Sequence, residues 1–386
     1  MKRIFIIQNT PLDEPLPLSV FLTNLLNRFP HYQDLEINLI AGKTKTIPKG
    51  VLALCRRVYT LPTSTYSIKD NIKFSLKVLS LLKREHRHTP IDIIHCFYPN
   101  SSLLGAVLFK MFHHKEVSLI YDVRSPWIEM SLARGFVAHK VSALYKWILY
   151  LEERWLARRV DHFVFITDGL AQYYKQKIGI NHRRGITILP TGVDLELFKP
   201  RETDVRARYR VKDSDILIVS VGGIARIRQL DRFLHLFRET MDQKKFLKLM
   251  FVGDGDALEE LKALTAQMGI SHKVIFTGSV PHQDVPRYIC AGDFGLAHIP
   301  DLNVYRHSFA LKILEYLGCG VPVLATRMQA HKEIKKKVDG VHLYASSNQL
   351  LIGLNAKIKR PVLQDLSPYS WGTIAESYCD VYRRLP

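Results

Sequence analysis

Short apolar runs alternate with longer amphipathic stretches along the whole chain, and this alternation constrains the fold more than any other sequence feature. In the first half, runs rich in β-branched residues predict strands at 3–8, 36–41, 91–96, 118–122 and 162–167. Apolar residues at helical spacing predict helices at 19–28, 69–86, 101–112 and 137–158. The second half repeats the pattern, with strands at 216–221, 248–252, 274–277, 294–298 and 322–325 and helices at 229–240, 256–268, 285–291 and 309–317.

Nearly continuous apolar strands separated by helices are typical of parallel sheets covered on both faces. We therefore expect an α/β fold of two Rossmann-like, doubly wound domains that face each other across a cleft. The turn-rich segment Pro190-Thr191-Gly192 predicts the boundary. The expected divisions are 1–190, 191–366 and a last helix at 367–386 that crosses back to the first domain. In such sheets, ligands bind outside the carboxyl ends of the strands.

The formal net charge is +19, and the basic excess is larger in the first half of the chain. Residues 1–200 contain 28 Lys and Arg against 16 Asp and Glu. This surplus favours contact with anionic lipid or phosphorylated substrates, and an ordinary solvated surface is an equal alternative. No basic cluster is interleaved with aromatic residues, so nucleic acid is not an expected partner.

Five widely spaced cysteines without a C-x-x-C pair argue against a disulfide framework or a zinc site, and reduced thiols suit the cytosol. The apolar run after Met1 is too short for a secretory signal, and no uncharged apolar segment is long enough to span a bilayer. We therefore expect a cytoplasmic protein, with the cytoplasmic face of the inner membrane as a candidate location.

The segment 305–323 carries the strongest indication of chemistry. Ser308 is a suitable N-cap for the helix that the following apolar spacing predicts. Backbone N–H groups at such a helix start, together with the helix dipole, form a site for a diphosphate. Lys312 and Glu315 lie on one helical face, where the carboxylate is able to accept hydrogen bonds from ribose hydroxyls. The expected nucleotide-binding residues here are Ser308, Phe309, Ala310, Leu311, Lys312 and Glu315, and an ordinary amphipathic helix with a surface ion pair is the alternative.

Two glycine-containing turns follow predicted strands in the second half. Gly222 and Gly223 would let a ligand approach the backbone, and Arg226 and Arg228 are candidates to meet phosphate oxygens. The turn 253–255 lacks the G-x-G-x-x-G spacing of a dinucleotide fingerprint, so a tight turn is the simpler interpretation.

Three segments together resemble the retaining glycosyltransferases of family four, which have the GT-B fold. Residues 188–194, Ile-Leu-Pro-Thr-Gly-Val-Asp, are similar to that family's Pro-Asn-Gly-Val-Asp segment. Residues 249–278 resemble its V-G-D-G stretch with the following V-x-F-x-G. Residues 315–322, Glu-Tyr-Leu-Gly-Cys-Gly-Val-Pro, resemble its most specific motif. The likeness covers most of 160–345.

The resemblance implies transfer from a nucleotide diphosphate sugar, without a metal or other cofactor and with retention of the anomeric configuration. It matches Glu315 to the glutamate that holds the donor ribose, the segment 308–311 to the diphosphate site, and Arg228 to the phosphate-binding lysine. A UDP-sugar is favoured over a GDP-sugar as donor. The chain departs from the family at His307, which replaces a first glutamate, and at Gly223, which replaces an arginine that Arg226 would substitute. It also has Tyr121 where the family often has histidine, and it has Asn9-Thr10-Pro11 in place of a Gly-Gly loop.

Our hypothesis for catalysis is electrostatic: Arg228, aided by Arg226 or Lys312, would stabilise the charge of the leaving diphosphate. His307 is a candidate contact to the donor sugar, and Asp122 and Arg124 are candidate contacts to sugar or acceptor, with a structural salt bridge as their alternative. His95, which closes a strand, has a structural alternative as well. We name no nucleophile.

A glycan or lipid-linked glycan acceptor, in the synthesis of cell-surface polysaccharide or glycoconjugate, would suit the basic first half. The helix at 137–158, with Trp147, Tyr150, Trp155 and several bases, would suit a membrane interface, whereas packing on its own sheet is the alternative. Two other classes of function stay open. One is a hydrolysing sugar-nucleotide epimerase, and the other is a non-catalytic scaffold that binds a membrane or a partner.

Overall fold

The computed structural model of the chain describes residues 1–14, 16–29, 32–62, 68–112, 116–129, 142–180, 184–302, 305–309, 311–356 and 364–386. The chain divides into two compact units. The first comprises Met1–Gly192, His307–Phe309 and Trp371–Pro386. The second comprises Val193–Arg306 and Ala310–Ser370.

The first unit is built on a parallel sheet with the order β3-β2-β1-β4-β5-β6-β7. Its strands are β1 (Lys2–Ile7), β2 (Leu35–Gly42), β3 (Arg57–Leu61), β4 (Ile93–Phe97), β5 (Ser118–Val123), β6 (His162–Phe165) and β7 (Gly185–Ile188). Its described helices are Pro17–Asn27, Lys49–Leu54, Ile68–His88, Asn100–Phe112, Ser142–Ala157, Asp168–Lys177 and Trp371–Arg384.

Helices cover both faces of this sheet because successive strand residues point to opposite sides. Phe5 and Ile7 of β1 join a core with the helices Ile68–His88, Asn100–Phe112, Ser142–Ala157 and Asp168–Lys177. Ile4 and Ile6 join the opposite core, which contains the helices Pro17–Asn27 and Trp371–Arg384.

The second unit has a parallel sheet with the order β10-β9-β8-β11-β12-β13. Its strands are β8 (Ile216–Val221), β9 (Leu247–Val252), β10 (Val274–Phe276), β11 (Phe294–Ala297), β12 (Val323–Thr326) and β13 (Val341–Tyr344). Its described helices are Val205–Arg208, Leu230–Met241, Leu258–Gln267, Val285–Ala291, Leu311–Gly318, Gln329–Lys335 and Ser347–Asn355.

The predicted fold class of two Rossmann-like α/β domains with parallel sheets is confirmed. The strands that the sequence patterns missed, β3, β7 and β13, all lie at sheet edges. Edge strands are partly exposed, so they lack the continuous apolar run that marks a central parallel strand.

The helix predicted at 137–158 begins at Ser142 in the described part of the chain. No helix within the described ranges has the length and apolar character needed to cross a membrane.

Candidate active site

The carboxyl edge of the second sheet contains the residues that the sequence singled out most strongly. Strands β8 and β11 are neighbours in this sheet although they are far apart in sequence, so the strand order reverses direction between them. In open α/β sheets this switch point leaves a crevice beyond the strand ends, where ligands bind. Gly222 and Gly223 follow β8 there, and the helix Leu311–Gly318 follows β11.

Tyr316 fastens this helix to both strands at the switch point. Its hydroxyl accepts a hydrogen bond from the Val221 N–H at 2.9 Å and donates one to the Leu296 carbonyl at 3.2 Å. Its ring lies against Gly295 of β11, where an added Cβ would come within 2.3 Å of the ring. Sequence analysis assigned no role to Tyr316 or Gly295, although a glycine inside an apolar strand signals a close approach by a neighbour.

Lys312 lies one helical turn before Tyr316 and reaches the end of β8. Its Nζ donates a hydrogen bond to the Val221 carbonyl. A Cβ at Gly222 would come within 2.2 Å of that Nζ, and Gly222 has φ of +116°. The backbone conformation therefore requires glycine at this position, and a Cβ there would also displace the end of the Lys312 side chain.

The electrostatics of Lys312 and Glu315 are set mainly by burial. Burial, and then the nearby Arg228 guanidinium, lowers the pKa of Lys312, while Glu315 raises it. Burial raises the pKa of Glu315, and Lys312 partly opposes that rise. Arg228 also lies against the Tyr305 ring, with its Cζ 5.9 Å from the ring centroid. The structure thus brings Gly222, Arg228, Lys312 and Glu315 together, as the sequence predicted.

The turn at 253–255 supports the glycine loop after β8. A Cβ at Gly253 would come within 2.2 Å of the Gly222 carbonyl oxygen, and one at Gly255 within 2.4 Å of the Ile224 carbonyl oxygen. The Ile224 N–H donates to the Asp254 carbonyl at 2.9 Å. The two loops pack backbone against backbone, so this turn positions residues 222–224 as well as reversing the chain.

Arg226 does not join this group, and its contacts argue against its predicted role at the donor. Its guanidinium forms a salt bridge with Glu260, both Glu260 oxygens lying 3.1 Å from Nε, and its backbone N–H donates to Asp256. The side chain is 62% exposed. The one-turn 3₁₀ helix Arg226–Arg228 separates the two arginines, because successive residues of a helical turn point in different directions.

The helix that the sequence predicted from Phe309 begins at Leu311. The predicted cap at Ser308 stays a prediction. Ala310 lies outside the described residues. Ser308 and Phe309 belong to the first unit, where Phe309 packs against the core that contains Tyr174.

His307 also belongs to the first unit. Its carbonyl accepts a hydrogen bond from the Thr167 hydroxyl at 2.9 Å, and its ring lies 5.4 Å from the Tyr173 ring. A contact between His307 and the donor sugar stays a prediction, which a His307→Ala variant with normal donor affinity and turnover would contradict.

Asp122 and Arg124 lie in a buried network beneath the helix Trp371–Arg384. Asp122 is completely buried and accepts a hydrogen bond from the Tyr378 hydroxyl. Arg124 donates to the Leu189 carbonyl at 3.0 Å and to the Tyr378 hydroxyl at 3.3 Å. His95 is also fully buried, with its Nδ1 2.7 Å from the Tyr382 hydroxyl.

These partners correct the expectation that Asp122 and Arg124 contact sugar or acceptor, and they favour the structural alternative for His95. A fully buried carboxylate whose neighbours are a guanidinium, a phenol and an imidazole has its charge compensated within the unit, and removing one partner would leave a buried charge uncompensated. The tyrosines come from a segment more than 250 residues further along the chain. Local sequence around β5 therefore contained no signal of this arrangement.

Comparisons with known proteins match a glycosyltransferase family model in each half of the chain. Residues 18–197 match the family model described as Glycosyltransferase Family 4, and residues 215–357 match the model described as Glycosyl transferases group 1. The D-inositol 3-phosphate glycosyltransferase of Nocardiopsis dassonvillei is 25% identical over 98% of this chain and 92% of its own length. The putative glycosyltransferase EpsD of Bacillus subtilis is 23% identical over 67% of this chain.

Alignments with several curated relatives cover only part of those proteins. The chain spans 65% of the length of EpsD and 35% of the alpha-monoglucosyldiacylglycerol synthase of Streptococcus pneumoniae. Solved structures agree in fold over the whole chain. Sucrose-phosphate synthase from Thermosynechococcus elongatus has a TM-score of 0.71 at 17% identity over 100% of this chain and 99% of its own. Anabaena HepE in complex with UDP has a TM-score of 0.70 at 15% identity over 100% of both chains.

The buried network predicts a structural phenotype for Asp122→Asn. Asparagine keeps one acceptor oxygen and no charge, so it can serve Tyr378 or Arg124 but not both, and the free energy of unfolding falls by about 1–3 kcal/mol. Affinity for a nucleotide diphosphate stays at the wild-type value. Equilibrium urea unfolding and calorimetric titration measure the two quantities. The exposed Asp213→Asn serves as control and changes stability by less than about 0.5 kcal/mol. Unchanged stability together with lost transfer in Asp122→Asn would restore the substrate-contact interpretation.

Proposed function

The chain belongs to the glycosyltransferases of the family-four type with the GT-B fold, and on that premise we propose that it moves a hexosyl or N-acetylhexosaminyl group from a nucleotide diphosphate sugar to a glycan or lipid-linked acceptor. The proposed transfer retains the anomeric configuration and requires no metal. Its setting is the synthesis of a cell-surface polysaccharide or glycoconjugate.

The observation that carries the proposal is the group of side chains at the switch point of the second sheet. Arg228 and Lys312 supply positive charge, and the backbone beside Gly222 and Gly223 offers a close approach, which together suit a diphosphate. The N–H groups at the start of the helix Leu311–Gly318 add donors and the positive end of the helix dipole. Glu315, three residues beyond Lys312, is placed to accept hydrogen bonds from ribose hydroxyls.

The proposed catalysis rests on charge development. Cleavage of the bond between sugar and diphosphate leaves negative charge on the diphosphate and an oxocarbenium-like sugar. Arg228 and the protonated Lys312 stabilise the charge on the leaving group as it forms, in a partly buried site where such interactions are strong. In this proposal, the two cations stabilise the negative charge of the leaving diphosphate, and no metal ion is needed for that.

A UDP-sugar is the proposed donor and an anionic membrane the proposed setting. HepE, similar to this chain in fold, was solved with UDP and with UDP-glucose, which supports UDP as the first nucleotide to test. The basic excess of residues 1–200 favours a site at the cytoplasmic face of the inner membrane, where a lipid-linked acceptor is within reach. The sulfoquinovosyl transferase of Arabidopsis thaliana and a phosphatidylinositol monomannoside mannosyltransferase of Mycolicibacterium smegmatis are among the relatives.

A thermal-shift screen with UDP, GDP, ADP and their sugar conjugates tests the donor site. Ligand at 100 times its dissociation constant adds about 2.7 kcal/mol to the stability of the folded state. We expect a selective shift with UDP compounds that is lost in Glu315→Ala. No shift with any nucleotide would contradict the proposal and favour a non-catalytic scaffold. Release of free nucleotide and an epimerised sugar without an acceptor would favour an epimerase.

Arg228 and Arg226 form a matched pair for testing the catalytic charge. Arg228→Ala removes a cation beside Lys312 and lowers turnover by about 10²–10³. Arg226→Ala removes only an exposed salt bridge with Glu260, so turnover stays within about twofold of wild type. Both variants are compared in the same transfer assay. Equal losses in the two variants, or an unaffected Arg228→Ala, would exclude this assignment.

The lowered pKa of Lys312 gives donor binding a characteristic pH dependence. Only the protonated lysine attracts a diphosphate, so affinity falls as pH rises through the Lys312 pKa. Because that pKa is lowered, the fall begins well below the ordinary lysine value of about 10.4. Calorimetric titration of UDP above pH 7 measures it. Lys312→Arg keeps its charge and moves the fall to higher pH, whereas an identical profile in this variant would exclude Lys312 as the titrating group.

A further inference from the structure

The helix Ser142–Ala157 presents an apolar stripe to solvent in addition to the apolar face that it buries. Five large apolar side chains at helical spacing are each between 37% and 64% exposed: Leu144, Trp147, Ile148, Leu151 and Trp155. A surface helix of a globular protein normally carries polar residues on its outward face. This stripe therefore calls for a partner.

Packing within the first unit does not require the stripe. The buried side of the helix consists of Leu149, Glu153, Leu156 and Ala157, and the last two join the core beneath the sheet. Glu153 is satisfied there by the Tyr174 hydroxyl. The expectation that this helix packs on its own sheet is thus met by residues other than the exposed five. Contiguous exposed apolar surface of this kind marks an interaction site.

Basic side chains border the stripe. Arg154 lies beside it on the same helix and Arg158 directly follows the helix, and with Arg184 they line a cavity of about 240 Å³ at its end. Arg154 donates to the carbonyls of Lys177 and Ile178, and Arg184 donates to those of Arg158 and Val160. Because carbonyls carry no net charge, Arg154 keeps its full positive charge while being held in place, whereas Arg184 also lies 4.0 Å from the Asp161 carboxylate.

A second cavity, which Arg154 also lines, lies further towards the start of the helix and has the same mixed character. It is lined by Lys146, Trp147, Leu151, Arg154 and Lys177 together with Glu129. The Glu129 carboxylate is already paired with Lys146 at 3.2 Å and with two tyrosine hydroxyls. Its negative charge is therefore compensated within the cavity by Lys146, which leaves Arg154 and Lys177 as the other cations that line it.

Tryptophan at the edge of an apolar surface, next to arginine, is the arrangement found where proteins meet the headgroup region of a bilayer. The Arg159 guanidinium lies over the Trp155 ring, with its Cζ 3.9 Å from the centroid. The helix Ile68–His88 contributes to the same core and also has exposed apolar residues, Ile72 and Leu76, beside lysines.

We propose that the first unit docks on an anionic lipid surface through the helix Ser142–Ala157, with the five apolar side chains inserted among the acyl chains and the bordering arginines and lysines on lipid phosphates. A second copy of this chain is a poorer occupant. A two-fold contact would bring each basic border against its own copy, and the chain has a net charge of +19. The lipid-linked acceptor gives this docking its purpose, so that purpose rests on the proposed function, but the docking itself does not require donor binding.

Vesicle co-sedimentation of the full chain tests the proposal. We expect binding to an equal mixture of phosphatidylglycerol and phosphatidylcholine at low salt, and weaker binding to phosphatidylcholine alone or at high salt. Trp147→Ser with Leu151→Ser lowers the partition coefficient by about tenfold or more. Arg158→Glu with Lys177→Glu lowers it comparably on the anionic vesicles only. Brominated phosphatidylcholine quenches the tryptophan fluorescence of the wild type upon binding.

Matched substitutions in the second unit serve as controls. Phe246→Ser with Ile352→Ser removes apolar side chains that are equally exposed, and Lys332→Glu with Lys336→Glu reverses exposed charges; both retain wild-type vesicle binding. Equal losses in these controls would overturn the proposal. Wild-type protein that stays in the supernatant at low salt would also overturn the proposal. A stripe variant that loses self-association and keeps its lipid binding would overturn it as well.

The UDP thermal shift of each stripe variant keeps the two proposals separate. A stripe variant that loses vesicle binding and keeps its UDP shift is folded, and it locates the loss at the docking surface. If no nucleotide binds to a wild type that still binds vesicles, the donor assignment fails and the docking stands. If UDP binds but anionic vesicles do not, the docking fails and the donor site stands.

Discussion

The hydroxyl of Tyr316 joins the two strands between which the order of the second sheet reverses, and the candidate site depends on this contact. It accepts from the Val221 N–H of β8 and donates to the Leu296 carbonyl of β11, so one buried side chain holds the helix Leu311–Gly318 over both strand ends. Gly295 makes room for the ring. With the helix fixed, Lys312 reaches the end of β8 one turn earlier, and Glu315 lies three residues beyond Lys312.

Burial gives this group its chemical character. A lysine and a glutamate that are both withdrawn from water have pKa values moved toward each other, the lysine downward and the carboxyl upward. Arg228 adds to the downward shift of the Lys312 pKa because the two cations lie close together. Positive potential is therefore concentrated beside the glycine loop. A diphosphate brings the negative charge that such a site lacks. Structural buried charges elsewhere are compensated within the protein, as Asp122 is by Tyr378 and Arg124.

The sequence predicted the architecture well because its signal is local. A central parallel strand is apolar along its whole length, whereas the edge strands β3, β7 and β13 are partly exposed and escaped notice. The helix that carries Lys312 and Glu315 was found from its spacing, but its first residue is Leu311 and not Phe309. Of the two arginines after β8, Arg228 lies with Lys312 and Arg226 with Glu260, and sequence spacing alone did not separate them.

The sequence by itself determined two parallel α/β units, the family, and the identity of Gly222, Arg228, Lys312 and Glu315 as candidates, because these follow from periodicity and from motifs within short segments. Only the tertiary structure decided what contacts each side chain makes. Tyr378 and Tyr382, far along the chain, turn Asp122, Arg124 and His95 into a structural network. Folding also decided which face of the helix Ser142–Ala157 is covered: Leu156 is buried and Trp147 is exposed, and their residue types alone would place both inside.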